Sequence, residues 1–77
     1  MLFLIEYARN AGKIVSFKAY DDPERETARS DRLALELRLR RRREEHEVVL
    51  LEAASEHALR RTHARYFEDL SDLVRVS

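Results

Sequence analysis

The chain has 77 residues and no cysteine, so it has room for one domain and no disulfide to brace it. Fifteen basic and fifteen acidic side chains give a formal net charge of zero and a pI near 6.8, which argues against a protein built to grip nucleic acid or an anionic membrane surface. With 44% hydrophobic residues, one Gly and one Pro it is not disordered by composition, and at this size its stability calls for tight helix-on-sheet packing or a second subunit.

The opening run Met1-Leu2-Phe3-Leu4-Ile5 is apolar but is followed by Glu6 and Arg9, so neither a signal peptide nor a membrane span is expected. Residues 2–8 alternate as a strand, with Phe3, Ile5 and Tyr7 on one face and Leu2, Leu4, Glu6 and Ala8 on the other. Asn10-Ala11-Gly12 supplies the turn, the Gly standing where a hairpin needs positive φ. Residues 13–20 return as a second strand, in which Val15 and Phe17 extend the Phe3 face while Ile14, Ser16, Lys18 and Tyr20 lie opposite.

Asp21-Asp22-Pro23-Glu24 opens a long helix over residues 22–42, with Asp22 as cap, Pro23 in the first turn, and Glu24 and Glu26 at the positive end of the dipole. Leu33, Leu35, Leu37 and Leu39 alternate there with the period of a strand, but the intervening Ala, Glu and Arg are strong helix formers and weak strand formers. On a helix at about 100° per residue, Ala28, Leu35 and Leu39 share one face and Leu33 and Leu37 another, nearly opposite. One stripe covers the sheet; the other has no partner within the chain and suggests a subunit contact.

Residues 46–52 contain Val48-Val49-Leu50-Leu51, apolar on both faces, which reads as a central strand covered on both sides, or on one side by a partner chain. Ser55 caps a second helix over residues 56–68, with Leu59, His63, Tyr66, Phe67 and Leu70 as its apolar stripe. Ser71-Asp72 interrupts that pattern, and the tail 71–77 fits a further turn, an edge strand or a frayed end equally well. The expected fold is a single α+β domain over 1–77, in the order β-β-α-β-α. Its three-stranded mixed sheet has the order 2-1-3 and carries two helices, and the chain is expected to dimerise.

No stretch combines a nucleophile, a base and an orienting group at a usable spacing, so no catalytic residue, cofactor or metal is expected. His57 and His63 do not share a helix face, and no Cys completes a zinc set; His63 reads as a packing residue. Glu52, Glu56 and Arg60 gather near the end of the third strand, but Glu56 and Arg60 are also an ordinary i,i+4 pair. The expected function is that of a non-enzymatic, cytoplasmic, homodimeric protein-interaction module whose partner is a second copy or another protein. Leu33, Leu37, Leu2, Leu4 and Ile14 form its candidate contact surface. The alternative is a nucleic-acid-associated protein using Arg38, Arg40, Arg41, Arg42 and Arg43, disfavoured by the neutral net charge and by the lack of aromatic residues among the arginines. Thirteen Arg against two Lys has the look of bacterial-type genome composition and carries no functional weight.

Overall fold

The structure, a computed structural model, describes residues 1–67. Strand β1 (Leu2–Ala8) turns into β2 (Lys13–Tyr20); a 3₁₀ turn (Asp22–Glu24) leads into α1 (Arg25–Arg42), then β3 (His46–Glu52), α2 (Glu56–Thr62) and a second 3₁₀ turn (Ala64–Phe67). The sheet order is β2-β1-β3, as expected. Both neighbours of β1 run antiparallel to it, which corrects the expected mixed sheet. The crossover through α1 makes β2 and β3 parallel to each other, but it passes over β1 and never makes them neighbours.

The expectation of a central third strand is likewise corrected. β1 is central, six of its seven residues being buried, and β3 lies at the edge with every side chain but Glu52 half-buried. β3 can be apolar on both faces without being central because each face has its own cover. Leu2, Leu4, Tyr20, Ala28, Leu35 and Leu39 form one buried cluster, with Val48 and Leu50 against it. Phe3, Ile5 and Leu59 form the other, on the opposite face, joined by Phe17, Val49, Leu51 and Phe67.

Gly12 takes φ 65° in the hairpin turn and its N–H donates to the Ala8 carbonyl at 2.7 Å, the role its sequence position suggests. One residue of β2 departs from simple alternation. Glu6 faces Ser16 while Tyr7 faces Ile14, so Val15 is squeezed out of the ladder and is 50% exposed. Beyond the bulge the faces exchange. Ile14, rather than Val15, therefore joins Phe17 on the Phe3 face and is removed from the candidate contact surface. Leu2 and Leu4 leave it as well, because they are buried beneath α1.

The 3₁₀ turn that leads into α1 starts from a reciprocal cap: the Glu24 N–H donates to the Asp21 carbonyl at 2.9 Å, and the Asp21 N–H donates to Glu24 Oε1 at 3.0 Å, so the regular helix begins at Arg25 rather than at residue 22. It ends at Arg43, which takes the left-handed conformation (φ 55°), with the Glu44 N–H reaching back to the Leu39 carbonyl at 3.0 Å. α2 begins where expected, the Ala58 N–H donating to Ser55 Oγ at 3.1 Å, but it stops at Thr62 instead of running to residue 68. Thr62 Oγ1 donates back to the Ala58 carbonyl at 3.0 Å, the helix gives way at His63, and the chain tightens into the 3₁₀ turn. Leu70 and the tail 71–77 lie outside the described residues.

Candidate functional site

Three places gather polar chemistry or unpartnered apolar surface. The first lies under α1. Position 6 of β1 points to the same face as Leu2 and Leu4, where an apolar residue would cost nothing, yet it is Glu6, only 5% exposed and the one buried charged residue among those described. Burying a carboxylate costs several kcal/mol unless it finds partners. Glu6 has two: Ser16, its direct neighbour on β2, donates to Oε1 at 3.3 Å, and Nδ1 of His46 lies 2.5 Å from Oε2. His46 is the first residue of β3. Just before it the chain leaves α1 through the left-handed Arg43, and that turn brings the Glu44 carboxylate to 3.8 Å from the same Nδ1. An open cavity of about 370 Å³ adjoins the group, with Glu36, Arg40, Glu44, His46 and Val48 in its walls.

The second place is on the opposite face of the sheet. The Glu47 carboxylate accepts from Arg9 (Nη2 at 2.7 Å, Nε at 3.2 Å), from the Tyr66 hydroxyl at 2.5 Å and from Arg65 at 3.4 Å. The hydrogen bond from Tyr66, followed by that from Arg9, holds the Glu47 carboxyl below the usual carboxylate range. Burial, followed by the Glu47 contact, pushes the Tyr66 phenol up. The Tyr66 ring meets Tyr7 edge-on at 5.3 Å between centroids, and the Arg65 guanidinium lies over it at 4.3 Å. A comparable pair ties β2 to α1: Tyr20 donates to Asp31 at 2.6 Å, and burial with that bond raises the phenol to about 12.

The third place is the outer face of α1. Leu33 is 59% and Leu37 41% exposed, while Ala28, Leu35 and Leu39 on the opposite side are buried, so the helix carries the two stripes read from its sequence. Arg38 and Arg40 to Arg43 are all exposed near its C-terminal end. Arg60, Arg61 and Arg65 lie on the other side of the molecule, because α1 covers the Leu2 face of the sheet and α2 the Phe3 face.

The constellation of Glu52, Glu56 and Arg60 does not assemble. Glu52 pairs with Arg25 at 2.9 Å, and Glu56 meets Arg60 at 3.8 Å as an exposed i,i+4 pair. The group at Glu6, Glu44 and His46 was not legible as a site, because Glu6 and His46 are 40 residues apart. The signal that was available is a carboxylate at an inward position of an otherwise apolar strand. Comparisons with protein families, with curated proteins and with solved structures find no match for this chain. Among the described residues no helix is long and apolar enough to cross a membrane.

Proposed function

We propose that this protein is a non-enzymatic interaction module that works as a homodimer in a reducing compartment such as the cytoplasm, with the outer stripe of α1 as its contact surface. The observation that carries this reading is the exposure of Leu33 and Leu37 on the helix face turned away from the sheet. A second copy fits the charges beside them. Glu26, Leu33 and Arg40 recur every seven residues, close to two full turns, so all three share the stripe. Because Leu33 is near the middle of the 18-residue helix, a two-fold axis through it sets Glu26 opposite the partner's Arg40 and runs the acidic start of one helix along the basic end of the other.

Magnitudes limit the affinity. Leu33 and Leu37 are already about half covered, so the four leucines of a dimer have about 3–6 kcal/mol still to gain, against an association cost of about 4–15 kcal/mol. The leucines alone do not hold a tight dimer, so a weak one, in the upper micromolar to millimolar range, is expected once the Glu26–Arg40 pairs are added. Sedimentation equilibrium tests it: Leu33→Glu with Leu37→Glu should give a folded monomer, and Arg40→Glu should weaken a dimer that Glu26→Arg then restores. A wild type that stays monomeric up to about 1 mM would refute the proposal. The nucleic-acid reading has less support, since the arginines of α1 and those of α2 and its following turn do not form one continuous face.

A further inference from the structure

We propose that Glu6, Glu44 and His46 form a binding site for a divalent transition-metal ion, Zn²⁺ above the others. Their donor atoms all lie within 4.8 Å of one another, although they come from the central strand, the turn after α1 and the first residue of β3. Tetrahedral Zn²⁺ at about 2.0–2.2 Å from each ligand needs its donors roughly 3.3 Å apart. The 2.5 Å between His46 and Glu6 must open slightly, and the 3.8 Å between His46 and Glu44 must close slightly. Glu44 is exposed and free to swing in, so the set reaches metal geometry by side-chain rotation alone.

Charge gives the second argument. Two carboxylates and a neutral imidazole sum to minus two, which a divalent cation cancels at a place where one of the carboxylates is buried. One imidazole nitrogen with two oxygens suits Zn²⁺, whereas Mg²⁺ and Ca²⁺ prefer oxygen alone. The ion takes the place of the hydrogen bond between His46 and Glu6, and the neutral imidazole then carries its single proton on Nε2. Ser16, donating to the other oxygen of Glu6, fixes the carboxylate from behind as outer-shell partners of metal ligands do. The adjoining cavity gives water access to the remaining coordination position. The site is contained in one chain and does not rest on self-association.

Zn²⁺ titration of the full chain, followed by calorimetry and by the histidine ring resonances in NMR, tests the proposal. One ion per chain is expected. The His46 ring signals should move while those of His57 and His63 stay, and the melting temperature should rise with Zn²⁺ but not with Mg²⁺. Glu44→Ala, at an exposed position, should weaken binding by at least about tenfold with circular dichroism unchanged, and His46→Gln, which keeps a hydrogen-bond donor for Glu6, should weaken it at least as much. Absence of Zn²⁺ binding overturns the proposal, as does binding that survives both substitutions or that shifts the ring signals of His57 or His63 instead.

Discussion

Glu47 stands on an edge strand and holds Arg9, Arg65 and Tyr66, residues from the hairpin turn and the last 3₁₀ turn. Its carboxyl is more acidic folded than unfolded, chiefly because the Tyr66 hydroxyl donates to the ionised form. The folded chain therefore binds that proton less readily, and the stabilisation is present above the unfolded carboxylate pKa of about 4.3 and lost as pH falls through the folded one. Removing the hydroxyl removes the largest cause. Tyr66→Phe should cost about 1.5–3 kcal/mol near pH 7, the value of a hydrogen bond to a charged group. Its melting temperature should also fall less steeply than that of the wild type between pH 5 and 3. Parallel melting curves across that range would mean the bond does not form in solution.

At the scale of elements, α1 is decided at its two ends as much as along its length. Arg43 closes the helix in a conformation that costs a residue with a Cβ about 1–2 kcal/mol and costs glycine almost nothing. Arg43→Gly should therefore stabilise the fold by up to about 1 kcal/mol, read as a higher urea midpoint with an unchanged slope; a loss of stability would show that the arginine side chain makes a contact worth more than the strain. The sequence made this helix legible despite its alternating leucines, because the propensities of Ala, Glu and Arg outweighed the misleading period. Local capping chemistry likewise marked Ser55, while the cap ahead of α1 falls on Asp21, one residue before the Asp22 that the sequence suggests. What escaped it was set by neighbours. The bulge at Val15 depends on how β2 registers against β1, the edge position of β3 depends on where the crossover lands, and the end of α2 at Thr62 redirects Tyr66 toward Tyr7 and Glu47, which no local pattern announces. The buried group at Glu6 was hidden for the same reason, its members being distant in the chain.

For the molecule as a whole, the Cα radius of gyration of 13.4 Å exceeds the roughly 11 Å of a compact globule this long. A thin plate with extents of 42 × 33 × 12 Å leaves little interior for its surface, which is why the fate of Leu33 and Leu37 weighs heavily in a chain of this size. The edge position of β3 has a consequence of another kind. Its outer side has no strand partner among the described residues, and Val48-Val49-Leu50-Leu51 is a strongly β-forming run that would template fibril growth if left unguarded. Glu45 and Glu52, exposed at its two ends, act as gatekeepers against any incoming copy of the same edge, whereas the charge of Glu47 is already met by Arg9 and Arg65. Glu52→Val should therefore shorten the lag before thioflavin-positive fibrils appear at neutral pH, and acidification that neutralises the carboxylates should do the same to the wild type. An unchanged lag in both would place the aggregation brake elsewhere; a shortened one would mean that these glutamates keep the protein soluble as well as folded.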